Sequence, residues 1–123
     1  METSRSENLE ERLRALLNST PEIEGAAVVS VDGLGIASVL NPQIEEDRIA
    51  AMSAAMLSLG ERIADELGRG TLEQVYVKGE YGFALLTSVG PQAVLSVIAR
   101  GDSRLGLVLL ELRKVVRDIE SYL

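Results

Sequence analysis

The sequence predicts an α/β (α+β) protein folded as a three-layer α/β/α sandwich, with the element order α-β-β-α-β-β-β-α. Three observations predict it. Three stretches carry apolar residues at helical spacing, and five others read as strands. Short turns separate the strands within each group, which makes neighbours antiparallel and gives a five-stranded antiparallel sheet. Several strands are apolar on both faces, so they need helices above and below.

The first helix follows Ser4-Arg5-Ser6-Glu7, which has the form of a capping box, a hydroxyl with a carboxylate three residues on. Leu9, Leu13, Leu16 and Leu17 give that helix one apolar face. Residues 18–21 end it, because Pro21 cannot extend the hydrogen-bond ladder. Residues 25–31 then read as a strand and Asp32-Gly33 as a hairpin turn of the primed type, where Gly supplies positive φ. Residues 36–40 are the return strand, closed by Asn41-Pro42.

The central helix covers residues 45–67. Glu45, Glu46 and Asp47 sit in its first turn against the positive end of the helix dipole, and Gly68-Arg69-Gly70 stops it. On a wheel, Ile49, Met52, Met56, Leu59 and Ile63 form one large apolar face. Beside it runs a stripe of small residues, Ser53, Gly60 and Ala64, with Leu57 among them, and Ala51, Ala54 and Ala55 extend the smooth surface. A helix that covers one core needs a single stripe. Full burial is the simpler alternative, but Glu61, Arg62, Asp65 and Glu66 keep one side wet. The wheel therefore favours two partners: the helix's own sheet under the large face and a second helix against the small one.

Residues 72–78 are the most polar strand and are expected at an edge, whereas residues 81–89 and 93–100 are apolar on both faces and are expected at the centre. Gly79-Glu80 and Gly90-Pro91 make the intervening turns. Asp102 or Ser103 is expected to cap the last helix, along which Leu105, Val108, Leu109, Leu112, Val115, Val116 and Ile119 trace a continuous apolar face. A bare edge strand is a liability. Pairing residues 72–78 with their copy in a second protomer would cover it and bring the central helices together along their small stripes. On this reading Leu57→Asp or Gly60→Arg breaks the pair and leaves the monomer core intact.

Composition bounds the function. A chain of 123 residues suits one domain, residues 1–123. A net charge of −7 argues against nucleic acid, which needs clustered Lys and Arg, and against an anionic membrane surface. With no Cys there is no thiol chemistry or zinc–thiolate site, and with no His the commonest general base and metal ligand are both missing. The N-terminus has no signal-peptide pattern and no apolar run reaches the ~18–20 residues of a membrane span, so a cytoplasmic protein without membrane insertion is expected.

A search for chemistry returns little. Gly33-Leu34-Gly35 contains G-x-G, but in a strand–strand turn and not at a helix N-terminus, and Gly79-Glu80-Tyr81-Gly82 is a turn as well. Glu45, Glu46 and Asp47 could suggest paired carboxylates or a magnesium site. Adjacent helical residues point about 100° apart, however, so a solvated first turn is the better reading. Glu10 and Glu11 are the same case. Ser30, Ser38, Ser53 and Ser58 lack a histidine to activate them, and Lys78 and Lys114 sit where solvent-facing charges belong. Arg48, Arg62 or Arg69 could serve as an arginine finger, but helix-surface pairs such as Glu66–Arg62 or Asp65–Arg69 are the plainer assignment. No catalytic residue, cofactor or metal is expected, and the chain is not read as an enzyme.

Residues 46–62, EDRIAAMSAAMLSLGER, resemble the central helix of Roadblock-type proteins, the dynein-light-chain and MglB-like superfamily, in a prokaryotic form. The strand–turn–strand around Val31-Asp32-Gly33-Leu34-Gly35-Ile36 fits that family, as does residues 105–112, LGLVLLEL, in the last helix. The resemblance implies a homodimer with a continuous ten-stranded sheet, two central helices on one face and the terminal helices on the other. It also implies a non-catalytic regulator or adaptor of a small Ras-like GTPase. MglB-like members promote GTP hydrolysis by arranging the GTPase's own residues and insert no arginine. Carried onto this chain, Ala51, Ala54, Ala55, Ser58, Arg62 and Asp65 would bind the GTPase. Ser53, Leu57, Gly60, Glu61 and Ala64, with Val75, Tyr76 and Val77 on the edge strand, would form the dimer contact.

Two other classes compete. A structural scaffold subunit, as dynein light chains are, would use the same paired surface with no effect on GTP turnover. A small-molecule sensor needs a pocket with convergent polar groups, which an aliphatic core with 3% aromatics does not suggest.

Overall fold

The computed structural model describes residues 5–123, so the capping box expected at Ser4 lies outside the described residues. In chain order the elements are α1 (Arg5–Ser19), β1 (Ile23–Ser30), β2 (Gly35–Val39), α2 (Glu46–Glu66), β3 (Val75–Lys78), β4 (Gly82–Val89), β5 (Ala93–Arg100) and α3 (Leu105–Glu120). The strands form one antiparallel sheet in the order β2-β1-β5-β4-β3. Residues 72–78 were expected at an edge, and β3 stands there; β4 and β5, apolar on both faces, lie inside.

Alternation along each strand divides the core in two. On one face Val28, Leu95, Val97 and Leu85 meet α1 through Leu9, Leu13 and Leu16, and α3 through Val108, Leu112 and Ile119. On the other, Ala27, Val29, Val94 and Leu86 meet α2. The three layers are therefore α1 with α3, the sheet, and α2.

Several local expectations are corrected. The β1–β2 connection is not a primed two-residue turn, because Asp32 keeps negative φ and Gly33 (φ +90°) takes the left-handed position. Gly33 N–H donates to the Ser30 carbonyl (3.0 Å) and Ser30 N–H to the Leu34 carbonyl (2.7 Å). This is a tight turn over Ser30–Gly33 whose last residue, Gly33, is left-handed. At the end of α2, Gly68 (φ +62°) donates to the Asp65 carbonyl and Arg69 to the Ala64 carbonyl, a Schellman closure that glycine permits.

The third strand is shorter than the expected residues 72–78. Thr87 Oγ1 donates to the Glu73 carbonyl (2.9 Å), a side-chain bond where a ladder bond would otherwise run, and pairing begins only at Val75. Neither Asp102 nor Ser103 caps α3. Arg104 holds the N-cap position without a side-chain bond, Asp102 pairs with Arg100 (3.5 Å), and Ser103 Oγ donates to the Glu22 carbonyl (3.3 Å).

Candidate functional site

Helix α2 has three faces, and the structure assigns them differently from the wheel. The small stripe lies on the helix's own sheet: Ala50 is fully buried and Ser53 and Leu57 are each 5% exposed. A Cβ built on Gly60 would stand 3.0 Å from Val75 Cγ2 and 3.1 Å from Leu72 Cδ2, so the helix approaches β3 as closely as a glycine allows. The large face is the free one. Met52, Met56, Leu59 and Ile63 are exposed, with Met56 at 40% and Leu59 at 50%. The expectation that the large face covers the sheet and the small stripe meets a second helix is thus reversed. Small residues let a helix settle close onto a sheet, and size alone does not mark the inward side.

This reversal changes the proposed dimer residues. Ser53, Leu57 and Gly60 are covered by the chain's own strands. Glu61 is exposed and Ala64 half-buried, and on the edge strand Val75 is half-buried while Tyr76 and Val77 are exposed. Tyr76 stacks edge-on against Phe83 with ring centroids 5.4 Å apart on the α1–α3 side of the sheet. Val77 faces the other side, where Met52, Met56, Val77, Ala84 and Ile98 line an apolar cleft of about 280 Å³ between α2 and the sheet. The Met–Leu–Ile flank, the cleft and the β3 edge are continuous. Sequence reading named the flank but placed it inside.

The third face is the alanine flank. Ala51, Ala55, Ser58, Arg62 and Asp65 are exposed and Ala54 half-buried, and helical spacing puts these six candidate partner-binding residues on one flank of α2, with Ala55 at its border with Met52 and Leu59. The ion pairs expected for Arg62 with Glu66 and Asp65 with Arg69 do not form. Arg69 Nε instead donates to the Leu67 carbonyl (3.0 Å), and Arg48 pairs with Glu45 at 3.8 Å. Arg62 therefore presents an unpaired guanidinium on this flank.

Away from α2, Arg12 ties α1 to the end of α3. It donates to Tyr122 Oη (2.7 Å), lies 5.4 Å from the Tyr122 ring centroid and stands 3.6 Å from Asp118. The hydrogen bond to Tyr122 first, and the Asp118 charge second, raise the Arg12 pKa above its ordinary value. Among the described residues no group of three or more Asp or Glu side chains is placed to hold a metal ion, and no helix is long and apolar enough to cross a membrane.

Comparison with known proteins places this arrangement among relatives. The sequence model of the Roadblock/LC7 domain family matches residues 9–99. Two uncharacterized proteins of Methanocaldococcus jannaschii are each 35% identical over 111 residues, 90% of this chain and 96% of each relative. Among solved structures, a Roadblock/LC7 domain from Streptomyces avermitilis superposes with a TM-score of 0.85 at 23% identity, covering 92% of this chain and 95% of its own. MglB of Myxococcus xanthus superposes with a TM-score of 0.84 at 21% identity, covering 93% of each chain. At these identities the likeness to solved structures is one of fold.

Proposed function

The chain belongs to the Roadblock/LC7 domain family, and from that premise we propose that it is a homodimeric, non-catalytic regulator or adaptor of a small Ras-like GTPase in the cytoplasm. One observation carries the dimer: the Met52–Met56–Leu59–Ile63 flank stands in solvent beside an apolar cleft and a bare β3 edge. Soluble monomers rarely expose such contiguous apolar surface. A two-fold contact would pack each flank over its partner's cleft and join the two β3 edges, making ten strands from five. The contact residues are then Met52, Met56, Leu59 and Ile63 with Tyr76 and Val77, in place of Ser53, Leu57 and Gly60.

With the methionine flanks facing each other, the alanine flanks remain outside. Ala51, Ala54, Ala55, Ser58, Arg62 and Asp65 of both copies form a smooth, lightly charged platform, and this is the surface we assign to the GTPase. A flat platform contributes by holding the GTPase's own catalytic groups in position, which is catalysis by orientation and needs no side chain from the platform. The fold likeness to MglB supports this reading.

The test is to purify the full chain with each small GTPase encoded beside it, then measure co-elution and single-turnover GTP hydrolysis. Co-elution with altered turnover supports regulation. Co-elution with turnover unchanged makes the chain an adaptor. A dimer that ignores all of them overturns the reading and favours a scaffold subunit.

A further inference from the structure

The turn joining β1 to β2 is hydrophobic where turns are ordinarily polar. Leu34 is 68% exposed and Val31 47%. The turn is also rigid, which raises the affinity a knob of this kind can deliver because little ordering remains for binding. Besides the two backbone bonds that close it, Val31 N–H donates to the Gln92 carbonyl (3.0 Å) and Leu34 N–H to Ser30 Oγ (3.1 Å).

The turn is seated against α2. A Cβ on Gly33 would lie 3.5 Å from Ala51 Cα, and one on Gly35 would come within 2.7 Å of Glu46 Oε1. Leu34 and Val31 thus stand at the edge of the alanine flank, on the turn that approaches Ala51 and Ala54. The charges around the turn are acidic: Asp32 on the turn and Glu46 and Asp47 on the first turn of α2 have no ion-pair partner, while nearby Arg48 is taken by Glu45.

We propose that Leu34, with Val31 beside it, is the specificity knob of the docking platform and inserts into an apolar pocket rimmed by Lys or Arg on a protein partner. The proposal rests on the GTPase reading and adds what selects among GTPases. A lone exposed leucine is ordinary. A pair of aliphatic side chains on a hydrogen-bonded turn, beside a smooth helix face and flanked by the unpaired carboxylates of Asp32, Glu46 and Asp47, has the layout of an interface centre with its polar rim. The rim's sign selects a basic partner surface and speeds encounter at low salt.

The experiment measures binding by calorimetry between the full-length dimer and the GTPase that co-elutes with it. Wild type is compared with Leu34→Ser, with Asp32→Asn/Glu46→Gln/Asp47→Asn, and with Ala55→Arg as a block of the platform. Expected are a loss of about tenfold or more for Leu34→Ser with dimer mass and melting temperature unchanged, and a wild-type affinity that falls as salt rises from about 50 to 300 mM but is flatter in the neutralised variant. If Ala55→Arg abolishes binding while Leu34→Ser binds as wild type, the knob is overturned and the platform survives. If wild type binds none of the GTPases, platform and knob fall together. If wild type assembles beyond a dimer and Leu34→Ser restores the dimer, the occupant is a second copy and the proposal is overturned.

Discussion

At Gly60 the fold of α2 comes down to a single missing methyl group. Its neighbours Val75 and Leu72 already fill the space a Cβ would take, and Val75 is β-branched with little rotamer freedom. Gly60→Ala gains the usual helix preference of roughly 1 kcal/mol, but overpacking of about 1–3 kcal/mol exceeds it. A net loss of stability in urea titrations is expected. Gly106, near the start of α3, has nothing within 4 Å of its would-be Cβ, so Gly106→Ala is expected to stabilise by up to about 1 kcal/mol. Equal gains at both positions would mean that α2 stands farther off the sheet than described. A glycine within a helix pattern was legible from sequence as a packing signal. Which surface it packs on was not, since that depends on Val75, fifteen residues later in the chain.

At the scale of elements, α2 was legible in extent and termini but not in orientation. The acidic first turn and Gly68 closure are local chemistry, readable from adjacent residues. Periodicity yields two candidate stripes without saying which is inside, and ranking them by size chose wrongly because the sheet below is itself crowded with Val29, Val94 and Leu86. Neighbouring residues now make opposite predictions. Leu57→Asp buries an unpaired charge against the chain's own sheet, costs several kcal/mol and is expected to unfold the monomer, as read by circular dichroism. Met56→Asp places the charge on the exposed flank and is expected to keep the helical spectrum while halving the mass in light scattering. Should Met56→Asp remain dimeric, the contact lies elsewhere. Gly60→Arg joins Leu57→Asp as a core lesion, where the wheel alone had made both of them interface lesions. Likewise the start of β3 and the α3 cap escaped sequence reading because Thr87 and Glu22, distant in sequence, supply the deciding bonds.

For the whole molecule, the inner places of β4 and β5, the edge place of β3 and the three layers followed from which strands carry two apolar faces, whereas the pairing of β1 with β5 did not. The alanine flank of α2 was legible as a run of small residues; the seating of the apolar turn beside it was not, because the approach of Gly33 to Ala51 joins residues that local sequence does not connect. In the proposed dimer the second copy buries the exposed methionine flank of α2, which would link folding to concentration. If unfolding and dissociation occur together, each tenfold rise in protein concentration adds about 1.4 kcal/mol per dimer to apparent stability. For a unit of this size that corresponds to a rise in melting temperature of roughly 3–5 °C. Calorimetric scans over two decades of concentration should therefore move by about twice that amount in wild type. Met56→Asp should melt lower and at a temperature independent of concentration. A wild-type transition that stays fixed across that range would show each chain folding on its own, and the methionine flank would then need another occupant.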